Sequence, residues 1–215
     1  MTVKVYEKSD ASELRISHME PHTGLLGSGD RFVIWVHGCC FDCPGCLAHN
    51  TRFGAYETFD TDTLCERIVE SRCDGLTLSG GEPFLEAAAL RQLIDAVRDR
   101  RKMDVIVYSG FTLAELSAED RFASLLEVTD ILIDGRYVRE LDDGRPYIGS
   151  SNQVIHYLNP DCRAAGEAYY TTGGHRRAEI HFTSTEAVLI GVPSPATLAV
   201  WQQIKQKSEG THHDF

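Results

Sequence analysis

Four cysteines fall at positions 39, 40, 43 and 46. Thiols crowded into one loop point to metal, cluster or redox chemistry, whereas a disulfide scaffold spreads its cysteines along the chain. Thiolates hold iron–sulfur clusters, and three of them in one short loop can wrap a single cluster. The spacing Cys39-x-x-x-Cys43-x-x-Cys46 supplies three ligands, so a four-iron cluster would keep one iron free of protein. An open coordination position separates a reactive metal centre from a structural one. Pro44 and Gly45 favour a tight turn, and Gly45 lets the backbone approach inorganic sulfide. Cys40 is a possible fourth ligand that would close the site. Adjacent side chains in an extended loop point to opposite sides, however, so Cys39 and Cys40 are not expected to face one cluster. A structural zinc site usually takes two ligand pairs separated by a longer spacer, which this loop fits poorly.

A second group follows about forty residues later, in Leu78-Ser79-Gly80-Gly81-Glu82-Pro83. Two glycines without side chains let backbone groups contact a ligand. Glu82 offers a carboxylate suited to a ligand ammonium group, and Pro83 fixes the exit into a helix. On its own the turn is unspecific. Its weight comes from following the cysteine loop in a chain of alternating strands and helices.

Those elements must hold both groups. Residues 31–36 read as a buried strand that runs straight into the cysteine loop. Further strands are expected at 76–78, 104–107 and 130–134. Between them, Leu64, Ile68 and Val69 fit a helix capped by Thr61, and Leu90, Leu93, Ile94 and Val97 fit another. Thr112 to Glu115 reads as a capping box opening a third. The alternation predicts an α/β fold with a parallel sheet. Ligands gather at the carboxyl ends of such strands. One rim therefore collects the cysteine loop, the Gly-Gly turn, Tyr108-Ser109-Gly110 and Asp134-Gly135.

Residues 160–215 read differently, as an appendage to a core domain of residues 1–159. Ile180 and Phe182, then Val188 and Ile190 beyond the turn at 183–185, alternate with polar residues as a hairpin does. Ser194-Pro195 starts a helix with Leu198, Trp201 and Ile204 on one face. The tail from Ser208, including His212 and His213, is expected to fray.

The 215 residues suit one domain with such an appendage. A net charge of −11 argues against a nucleic-acid partner, which would select Lys and Arg. The basic run Arg98, Arg100, Arg101 and Lys102 lies at a helix end, where cations offset the dipole. No stretch is long and apolar enough for a membrane span, and Met1 to Asp10 lacks the apolar core of a secretory signal, so a cytoplasmic location is expected. Cys65 and Cys73 read as small core residues. His37 reads as a packing or hydrogen-bonding residue beside the loop, and Asp134 as either a turn cap or a ligand contact.

From His37 to Cys46, the chain resembles the cluster loop of the radical S-adenosylmethionine superfamily, and within it that of the small activating proteins of anaerobic ribonucleotide reductase. Leu78 to Pro83 is similar to the family's Gly-Gly-acidic-Pro turn, and Val107 to Phe111 to the segment after the next strand. Asp130 to Val138 and Gly149-Ser-Ser-Asn-Gln153 resemble its C-terminal signature. The likeness covers roughly residues 20–158.

The resemblance implies a partial (βα) barrel of the radical S-adenosylmethionine type. It places a 4Fe–4S cluster on Cys39, Cys43 and Cys46, and S-adenosylmethionine against Ser79, Gly80, Gly81, Glu82, Ser109 and Asp134. A flavodoxin or ferredoxin would supply one electron, and cleavage of the sulfonium would give methionine and a 5′-deoxyadenosyl radical. In activators that radical takes a hydrogen from a glycine of a large partner enzyme. The chemistry is borne by the cofactors, so no acid or base side chain is required.

Cys40, Leu47 and residues 160–215 depart from the family pattern. Three functions follow: an activator of a glycyl-radical enzyme, a stand-alone radical enzyme acting on a small molecule or peptide, and a non-catalytic iron–sulfur or zinc module.

Overall fold

The computed structural model describes residues 12–145, 148–172, 176–182 and 187–210. The chain opens with β1 (Glu13–Thr23) and β2 (Arg31–Val36), then the short α1 (Asn50–Phe53), β3 (Glu57–Asp60) and α2 (Thr61–Ser71). Next come β4 (Gly75–Gly80), α3 (Ala87–Arg100), β5 (Asp104–Tyr108), α4 (Leu113–Ser117), α5 (Asp120–Leu126) and β6 (Ile131–Asp134). β7 (Val154–Tyr157), α6 (Arg163–Thr172), the hairpin β8 (Ala178–Phe182) and β9 (Ala187–Gly191), and α7 (Pro195–Gly210) complete it.

Seven strands form one sheet in the order β3-β1-β2-β4-β5-β6-β7. The middle four, β2, β4, β5 and β6, run parallel. They are the four expected strands, and their near-continuous Val, Ile and Leu content suits burial on both faces. β1, β3 and β7 pair antiparallel at the flanks. The sheet keeps two edges, so the barrel is partial and not closed.

Strand periodicity divides the core. Phe32, Ile34, Val36, Leu76, Leu78, Val105, Val107 and Leu132 face α2, α3 and α5, whose Leu64, Ile68, Leu90, Leu93, Ile94, Val97 and Leu125 fill the layer. Intervening residues face the other way. There Ile106, Ile131 and Ile133 meet Ile148, Tyr157 and Tyr170, while Val33 and Trp35 meet Leu26, Val188 and Ile190. The hairpin and α6 thus cover part of the face opposite the helices.

Arg31 crosses this second face fully buried. Its Nη1 donates to both Asp104 carboxylate oxygens at 2.8 Å, its Nε to Thr77 Oγ1 at 3.1 Å and its Nη2 to the Leu76 carbonyl at 2.6 Å.

The capping box at Thr112 and Glu115 forms as expected. α2 differs: Asp60, not Thr61, is its cap, accepting from Thr63 N at 2.7 Å. Both residue types cap well, but Asp60 has the extended backbone that a cap needs. The basic run finds local partners, Arg98 on Asp130 and Arg100 on Glu66, each at 2.6 Å. Leu198, Trp201 and Ile204 are half-buried along α7, which continues to Gly210, past Ser208 where fraying was expected. His212, His213, the 183–185 turn and residues 1–10 lie outside the described residues.

Candidate metal and cofactor site

Each motif lies where a parallel strand ends: the cysteine loop after β2, the Gly-Gly turn after β4, Ser109 after β5 and Asp134 at the end of β6. The first two are joined by backbone. Gly81 N donates to the Val36 carbonyl and Glu82 N to the Gly38 carbonyl, both at 2.9 Å. The glycines permit this approach. Gly80 has φ +102° and a Cβ there would lie 2.6 Å from Val36 N, while a Cβ on Gly81 would overlap the Gly38 carbonyl.

Cys39, Cys43 and Cys46 are half-buried and Cys40 is exposed. A turn with Cys46 N on the Cys43 carbonyl at 3.1 Å, and Gly45 at φ +80°, bends the loop back on itself. Burial pushes the Cys39 thiol up to about 12, against a hydrogen bond from Phe41 N. Burial also raises Cys46. Desolvated thiols become thiolates when a metal supplies the missing positive charge. The chemistry of Cys39, Cys43 and Cys46 therefore fits a cluster held at three corners, and Cys40 differs from them in being exposed.

Glu82, expected to meet a ligand ammonium group, also has a structural role inside the protein. Its carboxylate is fully buried and accepts three protein hydrogen bonds, from Phe84 N at 3.1 Å, Ser109 Oγ at 2.9 Å and Gly110 N at 2.8 Å. Burial raises it to about 7, opposed by those three donors. Ser109 Oγ also accepts from Phe111 N at 3.0 Å. Asp134 Oδ2 accepts from Leu113 N at 2.6 Å and lies 2.9 Å from His156 Nε2 without hydrogen-bond alignment. Asp134 thus caps the start of α4. Ser79 and Gly80, at the end of β4, are half-buried.

His37 is buried, bonded through Nδ1 to Ser17 Oγ at 3.1 Å and stacked on Tyr56 at 4.3 Å. It acts in packing. Sequence reasoning did not single out Arg136 and Arg139. Arg136 sits over the Phe41 ring at 4.5 Å, and the Arg139 guanidinium abuts Gly45. They place cationic groups beside the cysteine loop, and their positions just past Asp134-Gly135 were the available signal. The Gly149–Gln153 stretch holds the loop after β6 in place: Gln153 Nε2 donates to the Gly135 carbonyl, and Asn152 Nδ2 to the Arg136 carbonyl, each at 2.8 Å.

Residues 25–156 match the model of the 4Fe-4S single cluster domain family. The anaerobic ribonucleoside-triphosphate reductase-activating protein of Vibrio cholerae is 35% identical over 140 residues, covering 60% of this chain and 89% of that protein. Its Salmonella typhimurium counterpart is 33% identical over 158 residues, covering 67% of this chain and 99% of that protein. The crystal structure of QueE from Escherichia coli is a remote likeness, with a TM-score of 0.43 at 13% identity over 57% of this chain and 70% of that one. The cofactors are a 4Fe–4S cluster and S-adenosylmethionine. The chain belongs to the 4Fe-4S single cluster domain family and, with these relatives, to the activating-protein branch of the radical S-adenosylmethionine superfamily.

Proposed function

We propose that this protein activates a large glycyl-radical enzyme of the anaerobic ribonucleotide reductase kind in the cytoplasm, drawing electrons from a flavodoxin or ferredoxin. Cys39, Cys43 and Cys46 hold the cluster. The backbone of Ser79, Gly80 and Gly81 forms the shelf for the methionine end of S-adenosylmethionine. When bound, the cofactors supply the electron and the reactive sulfonium, and the hard chemistry is theirs.

The protein binds and orients. Glu82 positions the Gly80–Gly81 shelf from beneath by tying it to Ser109 and Gly110, and Asp134 sets the start of α4 at the same rim. The single observation behind the reading is the pair of 2.9 Å backbone bonds that fuse the three-thiol loop to the Gly-Gly turn. Leu47, Phe53 and Tyr56 are exposed in the loop and just beyond it. Apolar side chains around an open rim suit a protein partner. Among the described residues, no helix is long and apolar enough to cross a membrane.

A second reading, direct action on a small molecule or peptide, draws support from the hairpin and α6. They lie beyond the matched residues 25–156 and cover part of the sheet face opposite the helices.

One experiment tests both. The protein is loaded with iron and sulfide without oxygen, reduced, and given S-adenosylmethionine with and without a glycyl-radical reductase. 5′-Deoxyadenosine is quantified and the reductase is examined by electron paramagnetic resonance. A glycyl signal that requires this protein supports the activator. 5′-Deoxyadenosine release with no signal in any such partner favours the second reading, and no 5′-deoxyadenosine at all overturns both.

A further inference from the structure

At the opposite end of the sheet from the cysteine loop, three segments bring together a nitrogen, an oxygen and a sulfur donor. His22 stands at the end of β1, Asp30 just before β2 and Cys73 just before β4. Their ligand atoms all lie within 4.8 Å of one another. We propose that His22, Asp30 and Cys73 form a second metal site, for one borderline-soft divalent cation of the zinc type, independent of the cluster and of the activator function.

The two neighbours of His22 converge on one ring atom. Nδ1 is 2.6 Å from Asp30 Oδ2 and 3.7 Å from Cys73 Sγ. A nucleophilic thiol–imidazole–carboxylate relay needs both ring nitrogens, one for each partner. Here both partners meet the same nitrogen, so a relay is ruled out. Convergence of three donors towards one point is the arrangement that coordination requires.

The distances suit zinc. Bonds of about 2.3 Å to sulfur and about 2.0 Å to nitrogen at a tetrahedral angle put those two atoms about 3.5 Å apart, against the 3.7 Å found. His22 Nδ1 and Asp30 Oδ2 now meet directly, at 2.6 Å. A cation between them would open that contact by under about 1 Å.

The surroundings are prepared for it. His22 is one of two non-glycine residues with positive φ among those described, at +63°, and such a conformation persists only where the neighbourhood holds it. Asp30 is fixed from behind, its N donating to Asp74 Oδ2 at 2.9 Å while its carbonyl accepts from Asp74 N at 2.7 Å. Cys73 is buried and His22 exposed, so water can complete the shell on the His22 side. Binding at Nδ1 would move the ring proton of the neutral imidazole from Nδ1 to Nε2 and release the Cys73 thiol proton to solvent.

The test uses the cluster-loaded protein, so that the cluster thiols are already occupied. Cobalt(II) is added without oxygen, excess is removed by gel filtration, and cobalt per chain is measured with the sulfur-to-cobalt charge-transfer absorption. The expected result is one cobalt per chain with that absorption. Cys73→Ser should lose it, His22→Ala should bind at least roughly tenfold more weakly, and Cys40→Ser should match the parent. His22 is exposed, so its variant reports even if Cys73→Ser fails to fold. No retained cobalt in the parent overturns the proposal. So does full binding by His22→Ala, or loss in Cys40→Ser, which would mark an adventitious ion on the spare thiol.

Discussion

Ser109 donates a 2.9 Å hydrogen bond to the fully buried Glu82 carboxylate, joining the loops after β4 and β5 from within the protein. Replacing Glu82 by Gln keeps the shape but turns one acceptor oxygen into a donor that faces other donors. Leaving a buried donor unsatisfied costs roughly 1–3 kcal/mol. Glu82→Gln should lower unfolding stability by about that much and reduce 5′-deoxyadenosine formation while retaining iron. Urea denaturation and iron analysis check the two halves separately.

A methyl group at Gly81 has nowhere to go, because the Gly38 carbonyl occupies its space. Gly81→Ala must therefore push the turn away from the cysteine loop and break the Glu82–Gly38 backbone bond. The expected outcome is a folded protein with iron content below the parent and little S-adenosylmethionine cleavage. Parent-level values of both would contradict the close packing of the two loops.

Cys40 is exposed beside three half-buried thiols, and substitutions test whether their roles differ. Cys43→Ala should lose the cluster absorption and all 5′-deoxyadenosine formation. Cys40→Ala should retain the cluster. Iron and sulfide per chain after anaerobic loading distinguish them.

Arg31 is buried and donates to the Asp104 carboxylate, the Thr77 hydroxyl and the Leu76 carbonyl. Removing one partner of a buried ion pair costs about 3–5 kcal/mol. Arg31→Ala should destabilise by about that amount in urea, discounted somewhat because the Asp104 side chain is 29% exposed.

His181 ties the hairpin to the sheet, with Nδ1 2.9 Å from Glu20 and Nε2 3.1 Å from Glu179. The hydrogen bond to Glu20, then that to Glu179, raises its pKa above the ordinary 6.5. A raised histidine adds stability that is fully present below 6.5 and lost as pH rises through the raised value. Hydrogen exchange in β8 and β9 should accelerate across that window, and His181→Gln should flatten the dependence.

The four parallel strands were legible because each is a short apolar run ending at a glycine- or cysteine-bearing loop. Their shared direction then placed every motif on one rim. β1 was not legible. It is interrupted by two register shifts, and its middle residues are half-buried, so neither alternation nor an apolar run marks it. α6 carries Gly166 and few apolar side chains, and its place is set by Tyr170 against the distant Ile131 and Ile133. The residue type of Glu82 suits an ammonium group, but its structural role was not legible. Only the fold shows Phe84, Ser109 and Gly110 claiming its oxygens. His22, Asp30 and Cys73 are separated by eight and forty-three positions, a spacing no local motif would reveal.

On the proposed placement of cluster and nucleoside, the two backbone bonds from Gly81 and Glu82 to Val36 and Gly38 would make loading of metal and seating of nucleoside reciprocal. Whatever free energy iron contributes to ordering residues 39–46 also stiffens the ledge beneath the methionine. By linkage, the nucleoside must tighten retention of iron to the same degree. Under metal scarcity or oxygen damage, the protein would lose its grip on both partners together, and occupancy of either one guards the other.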